Sequence, residues 1–197
     1  MSAAIRIFVP IDAAALSVGA EAVAQAIARE AQARGTAVEI IRNGSRGMLW
    51  VEPMVEVETP EGRIAYGPVA ARDVAALFEA GFHNGDAHAL RLGPVDELDW
   101  LKRQQRLTFE RVGVTDPLSL TDYRAHDGLK GLEKALSLTG AEIVEEVKAS
   151  GLRGRGGAGF PTGIKWKTVH DARAEQKYIV CNADEGDSGT FADRMLI

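Results

Sequence analysis

Cysteine is almost absent from this chain of 197 residues, and the single thiol, Cys181, limits the chemistry available to it. One thiol excludes an internal disulfide, and it excludes an iron–sulfur cluster held only by cysteines of this chain. No apolar run approaches the roughly 20 residues that a membrane-spanning helix needs. The first residues also lack the charged start, apolar centre and small-residue cleavage site of a signal peptide. These absences predict a cytoplasmic protein without membrane insertion.

Charge and histidine content exclude further classes. The net charge is −5, from 23 basic and 28 acidic residues, which argues against a nucleic-acid partner. Hydrophobic residues make up 46% and charged residues 26%, as in an ordinary globular protein. Among the four histidines, His83 and His88 lie five positions apart and belong to no metal-ligand set that the sequence completes. We therefore predict no metal site in this chain.

The first part of the chain has the pattern of a small α/β domain. The predicted elements are strands at 5–10 and 37–42 around a helix at 16–34, a hairpin of 49–59 and 63–66, and a helix at 68–80. The order β-α-β-β-β-α suits a thioredoxin-like domain of the ferredoxin type, which we assign to residues 1–82. The loop at 44–50 contains no thiol, so this domain is predicted to lack cluster ligands.

A glycine-rich run is the most informative feature of the sequence. Glycine occupies six of the thirteen positions from 151 to 163, and the window 147–170 holds five basic residues and no acidic one. Exposed backbone amides combined with positive charge form a cradle for phosphate. A predicted buried parallel strand at 178–181 follows, and its carboxyl end delivers Asn182, Asp184, Glu185 and Asp187. This combination suits a nucleotide-like cofactor.

Common phosphate-binding motifs match the run poorly. Gly154, Gly156 and Gly159 satisfy G-x-G-x-x-G, but the dinucleotide fingerprint requires a preceding strand. A helix is predicted instead, because Thr139 and Glu142 form a capping-box pattern ahead of an apolar face. No Gly-Lys-Ser/Thr follows, so the run is not a Walker A loop. A flexible glycine turn on the surface is the alternative interpretation.

The run resembles one family. Residues 150–163, then Lys165-Trp166, 181–185 and 189–194, are similar to the FMN- and NADH-binding flavoprotein subunit of respiratory complex I, which also serves as diaphorase in soluble hydrogenases and formate dehydrogenases. The resemblance covers about residues 118–197. A thioredoxin-like domain ahead of this module is similar to the beta subunit of soluble NAD-dependent formate dehydrogenases. The resemblance to the flavoprotein subunit implies the start of a Rossmann-like FMN-binding domain at 118–197, after a connector at 83–117.

The resemblance implies a role for each matching residue. The implied FMN contacts are Gly154, Arg155, Gly156, Gly157, Ala158, Gly159, Lys165, Asn182 and Asp184. The implied NADH contacts are Phe160, Glu185 and Asp187, with Glu185 beside the reacting rings as the catalytic residue. Two positions depart from the family pattern. Asp187 stands where glutamate is usual, and Thr168 stands where an aromatic residue is common.

The implied function is that of an NAD-dependent oxidoreductase subunit. As a diaphorase, it would pass electrons from iron–sulfur clusters through FMN to NAD⁺ in a formate dehydrogenase. Its implied partners are a thioredoxin-like iron–sulfur subunit and a molybdenum catalytic subunit. A [4Fe-4S] cluster is expected in a further part of a longer polypeptide, of which this chain is the N-terminal portion. The alternatives are a hydrogenase diaphorase, a complex I subunit, or a non-catalytic assembly fragment.

Overall fold

The computed structural model describes residues 4–184, which form two compact units, residues 4–126 and Asp127–Ala183. The strands of the first unit are β1 (Ile5–Phe8), β2 (Val38–Ile41), β3 (Val55–Thr59), β4 (Gly62–Tyr66) and β5 (Arg91–Pro94). Its helices are α1 (Ala13–Ser17), α2 (Ala20–Arg34), α3 (Val74–Glu79), α4 (Asp99–Lys102) and α5 (Leu120–Ala125). The second unit contains α6 (Lys130–Leu136), α7 (Gly140–Ala149) and α8 (Thr162–Asp171).

The first unit is built on one mixed sheet with the strand order β2-β1-β3-β4-β5. Strand β1 pairs parallel with β2 and antiparallel with β3, and α2 connects the parallel pair. The hairpin turns between Thr59 and Gly62, where glycine adopts a φ of 110°. The predicted α/β class and the predicted β-α-β-β-β-α order of this unit are confirmed.

One face of α2 supplies the centre of the core. Val23, Ile27 and Ala31 follow each other at intervals of four, and each is at most 2% exposed. They lie in one cluster with Ile7 and Val57 from the sheet. Burial of each large aliphatic side chain contributes about 1.5–3 kcal/mol, so this helix and sheet stabilise each other mainly through apolar packing.

Several element boundaries differ from the predictions. Strand β3 begins at Val55 and not at residue 49, and a 3₁₀ turn occupies Leu49–Val51. Pro53 lies between them, and proline has no N–H to donate to a strand ladder. Strand β5 pairs with β4, so the sheet continues past residue 82 into the predicted connector. The domain limits at residues 82 and 117 stay predictions.

The predicted strand at residues 178–181 is wrong. These residues have no regular structure, and Tyr178, Ile179 and Val180 are 76%, 100% and 87% exposed. A parallel strand forms only when neighbouring strands satisfy its backbone groups. The second unit, as far as the structure describes it, consists of helices and one isolated bridge, so it offers no sheet for this run to join.

The interior of the first unit contains an ion network where the cysteine-free loop at 44–50 meets the sheet. Glu56, which is 1% exposed, accepts hydrogen bonds from Nε and Nη2 of Arg46 at 2.8 and 2.9 Å. Arg63 donates to the same carboxylate at 3.2 Å and to the carbonyls of Gly113 and Val114. The Arg63 guanidinium also lies 3.4 Å from the Phe8 ring centroid. The network therefore fixes the segment around residue 113 against the sheet.

Candidate functional site

The glycine run begins at the end of α7, and the helix is positioned by its own caps. The Thr139 hydroxyl accepts from the Glu142 amide at 3.3 Å, and the Glu142 carboxylate accepts from the Thr139 amide at 2.7 Å. This is the predicted capping box. The hydrogen bonds that the Glu142 carboxylate accepts from the Thr139 amide and the Thr139 hydroxyl hold the pKa of Glu142 below its usual value. Gly151 follows the helix with a φ of 68°, a left-handed conformation that glycine adopts without strain. The helix end thus directs the chain into the loop.

The loop is closed at its base by backbone hydrogen bonds. The Gly154 amide donates to the Phe160 carbonyl at 2.8 Å, and the Thr162 amide donates to the Leu152 carbonyl at 2.9 Å. Arg153 and Pro161 form an antiparallel bridge between these two bonds. The result is a hairpin-like loop that carries residues 155–159 at its tip.

Arg153 is a loop residue that the sequence analysis did not place in the site. Its Nε donates to the Gly159 carbonyl at 2.6 Å, and the Gly159 amide donates to the Gly156 carbonyl at 3.0 Å. The Arg153 guanidinium therefore stabilises the conformation of the loop tip through this hydrogen bond. The five basic residues in the window 147–170 indicated a charged loop. No local sequence pattern, however, distinguishes Arg153, which hydrogen-bonds to the loop, from Arg155.

Glycines of the run fall into two groups by what surrounds them. A Cβ added at Gly163 would lie 2.7 Å from the backbone Cα and N of Lys148, so glycine is needed where α8 crosses α7. A Cβ added at Gly156 or Gly157 would meet no protein atom within 4 Å. Neither of these two has a positive φ. Within the described residues, neither the backbone conformation nor packing requires glycine at positions 156 and 157.

Two basic side chains beside this open surface form no ion pair in the described part of the chain. Lys148 pairs with Glu145 at 2.8 Å, and Lys167 pairs with Asp171, which lowers the pKa of Asp171. Arg155 and Lys165 have no acidic partner within residues 4–184. A Cβ placed at Gly154 would lie 2.9 Å from Nζ of Lys165, so this ammonium group rests against the loop. Phe160 is 47% exposed at the end of the same loop.

The structure brings together only some of the predicted site residues. Residues 154–160 form the loop, and Lys165 reaches back to it from the first turn of α8. Asn182 and Asp184 lie in the irregular, exposed segment beyond residue 181. Glu185 and Asp187 lie outside the described residues. The roles assigned to these four residues stay predictions.

Two features are absent from the described residues. None of the helices in the part of the chain that the structure covers has the length and apolar character to cross a membrane. Residues 4–184 also contain no cluster of three or more histidine, cysteine, aspartate or glutamate side chains arranged to hold a metal ion.

Comparison with solved structures concerns the first unit. The chain is similar to a thioredoxin-like [2Fe-2S] ferredoxin from Aquifex aeolicus, with a TM-score of 0.42 and 22% sequence identity. The match covers 50% of this chain and 98% of the ferredoxin chain.

Three curated proteins are identical to this chain at half or more of the aligned positions. The chain is 55% identical over 96 residues to NADP-reducing hydrogenase subunit HndC of Solidesulfovibrio fructosivorans, covering 49% of this chain and 19% of that protein. It is 55% identical over 87 residues to an NADH-quinone oxidoreductase subunit of Rhizobium meliloti, covering 44% and 21%. It is 50% identical over 76 residues to NAD-reducing hydrogenase HoxS subunit alpha of Cupriavidus necator, covering 38% and 13%. The chain thus spans about a fifth or less of the length of these relatives.

A family match coincides with the loop described above. Residues 147–197 match the Nuo51 FMN-binding domain family, Complex1_51K. The matched range begins in the last turn of α7 and includes the whole glycine loop and α8. This range lies within residues 118–197, where the resemblance implies the start of an FMN-binding domain, and the glycine loop lies entirely in the part of the matched range that the structure describes.

Proposed function

We propose that the glycine loop holds the phosphate and ring edge of FMN. The observation that carries the proposal is the open surface at Gly156 and Gly157. Neither packing nor backbone conformation within the described residues requires glycine at these two positions. A ligand that approaches the backbone closely would explain why glycine occupies both positions. Arg155 and Lys165 flank the surface with charge of the sign that phosphate needs.

The proposed binding set comprises this chain's own side chains and amides. Amides of residues 155–159 would donate to the phosphate, and Lys165 would contact the flavin. Asn182 and Asp184 are proposed as further FMN contacts. Phe160, with half of its surface exposed, is proposed to stack on NADH, and Asp187 to accept from a ribose hydroxyl. Glu185 is proposed to place a carboxylate beside the reacting rings, where negative charge disfavours an anionic reduced flavin.

FMN and NAD supply the hydride chemistry, and the protein supplies orientation and electrostatics. On this basis we propose that the chain is the FMN- and NADH-binding part of a diaphorase subunit. The names of its relatives support an oxidoreductase role linked to NAD(H) or NADP(H). Its proposed partners are an iron–sulfur subunit and a catalytic subunit that oxidises the electron donor.

The finer proposal is a soluble NAD-dependent formate dehydrogenase with a molybdenum catalytic subunit. It rests on the cysteine-free thioredoxin-like unit that precedes the FMN-binding segment. A hydrogenase diaphorase is the second candidate, because two of the relatives named above are hydrogenase subunits. NAD⁺ reduction by the purified native complex, measured with formate and with hydrogen as donor, discriminates the two. Hydrogen-dependent reduction without formate-dependent reduction contradicts the formate assignment.

Cofactor content tests the coarser proposal independently of the electron donor. The complex is expected to release FMN in proportion to this polypeptide, as measured by fluorescence after acid treatment. A complex that contains the intact polypeptide and retains no flavin contradicts the assignment of the loop and favours a non-catalytic assembly role.

A further inference from the structure

A second basic site lies in the first unit, within the sheet-containing domain and distinct from the glycine loop. A cavity of about 270 Å³ opens beside the Arg46–Glu56 pair. Its charged lining residues are Arg46, Lys102, Arg106, Asp96 and Glu110, and its apolar lining residues are Leu101, Val112 and Val114. The proposed flavin function uses none of these side chains.

Arg46 and Arg106, which line this cavity, each have hydrogen-bond donors that no described protein group accepts. Arg46 uses Nε and Nη2 to bind Glu56. Arg106 uses Nε to bind the Gln104 side chain at 3.0 Å and Nη2 to bind the Arg46 carbonyl at 2.9 Å. Among the described residues, Nη1 of each guanidinium donates no hydrogen bond to protein. Each of these two cavity-lining guanidinium groups therefore retains one nitrogen with unused donor capacity.

Three guanidinium groups lie close together in this region. Arg46 and Arg63, with side chains 11% and 16% exposed, share the single carboxylate of Glu56. Arg106 adds a third guanidinium, and burial, followed by repulsion from Arg46, lowers the pKa of Arg106. Arg106 is partly buried and has no carboxylate partner among the described residues, and such a cation is favoured by an added anion.

The carboxylates at the cavity do not neutralise these cations. Asp96 and Glu110 are exposed, and neither forms an ion pair with the three lining cations in the described part of the chain. Water screens exposed charges much more than buried ones. Lys102 pairs with Asp99 at 3.1 Å and lies 3.9 Å from Glu97, and its ammonium has three donors, so it can bind a further acceptor.

We infer that this cavity binds a small oxyanion, held by Nη1 of Arg46, Nη1 of Arg106 and the ammonium group of Lys102. Guanidinium groups match the geometry of carboxylate and phosphate oxygens, whereas a spherical halide uses this geometry poorly. Free phosphate and a carboxylate share this chemistry, and separate titrations distinguish them.

The test is calorimetric titration of the full chain with inorganic phosphate and, separately, with acetate, both at ionic strength fixed with sodium chloride. Binding of either anion is expected, and the tighter one identifies the ligand class. Arg106→Gln should weaken binding about ten-fold or more, as expected for one charge-assisted hydrogen bond. Arg29→Gln, on the exposed face of α2, removes the same charge elsewhere and should leave affinity unchanged.

A variant of opposite sign makes the test sharper. Glu110→Gln removes a repulsive carboxylate from the cavity, so it should tighten anion binding by a few fold. A merely structural arginine cluster gives no reason for this gain. The inference is overturned if neither anion produces heat up to roughly 10 mM, or if Arg106→Gln and Arg29→Gln change affinity equally.

Amide chemical shifts protect the test against loss of folding in Arg106→Gln. In the wild-type chain, phosphate or acetate should move the resonances of Lys102 and Val112, which line the cavity, and leave those of α2 unchanged. Lys102→Gln, on an exposed helix, should reduce these shifts at a given anion concentration. Shifts that spread evenly over the chain, or match those caused by chloride, contradict a specific site.

Discussion

Substitution at Gly157 should separate flavin binding from stability. The structure leaves the space around an added Cβ empty to 4 Å, and φ at this position is not in the left-handed region. Gly157→Ala should therefore leave the free energy of unfolding unchanged, or raise it by about 0.4–1 kcal/mol by restricting the unfolded chain. FMN binding should fall, because the methyl group holds the ligand away from the backbone amides. Loss of one charge-assisted hydrogen bond, worth roughly 1.5–3 kcal/mol, weakens binding about ten- to hundred-fold.

Two control variants set the scale for this experiment. Gly131→Ala in α6 also adds a methyl group into open space, but outside the loop, so flavin content should stay at the wild-type value. Gly163→Ala forces a Cβ to within 2.4 Å of Lys148 Cγ and 2.7 Å of its backbone, and such overpacking costs typically 1–3 kcal/mol. Thermal denaturation and acid-released FMN, measured on the native complex for all three variants, provide the comparison. Wild-type flavin affinity in Gly157→Ala and also in the bulkier Gly157→Val would refute the assignment of the loop.

Three further predictions concern other parts of the chain. Asp187→Ala should raise the KM for NADH about ten- to hundred-fold with an artificial acceptor and leave FMN content unchanged, whereas lost FMN would place Asp187 at the flavin. Burial raises the pKa of Glu52, so its contribution to stability is present in acid and is lost as pH rises from the ordinary glutamate value through the raised one. Glu52→Gln should therefore stabilise the chain at neutral pH and not in acid, and urea titrations that show no pH-dependent difference contradict this. The purified chain should contain no stoichiometric iron, and a two-iron signal in electron paramagnetic resonance would contradict a cluster-free first unit.

Local patterns predicted those parts of the fold that local chemistry determines. The hairpin of β3 and β4 follows from alternation around a turn that ends in Gly62, and its register requires no distant residue. The start of α7 follows from Thr139 and Glu142, whose reciprocal hydrogen bonds lie within one helical turn. Gly151 ends that helix as its position predicts. Each of these features is complete within a few consecutive residues.

Features that depend on distant partners could not be predicted in the same way. Strand β5 contains glycine and proline within four residues, and only pairing with β4 makes it a strand. The opposite error occurs at 178–181, where an apolar sequence predicts a strand but the described residues provide no partner. The buried pair of Arg46 and Glu56 joins positions ten residues apart through the tertiary fold, and no periodicity indicates it.

At the candidate site, too, the sequence predicted which residue types are present but not what surrounds each of them. Sequence predicted a basic, glycine-rich loop, and the structure shows that loop with Lys165 beside it. Sequence could not separate glycines needed for packing, such as Gly163, from those that packing leaves unexplained, such as Gly157. That difference appears only when the surroundings of each Cα are known, and it is the difference that points to a ligand.

The two basic sites should differ in how they respond to salt, because their charges differ in burial. Arg155 and Lys165 are exposed, so mobile ions screen them, and the proposed phosphate contacts must rely mainly on backbone amides. Arg155→Gln should therefore weaken FMN binding less than Gly157→Val does. At the cavity, Arg106 is partly buried, so mobile ions screen its charge less. At any given salt concentration, Arg106→Gln should therefore weaken anion binding by a larger factor than Arg155→Gln weakens FMN binding. If both proposals hold, charge should dominate anion recognition at the cavity, whereas close backbone approach should dominate FMN recognition at the glycine loop.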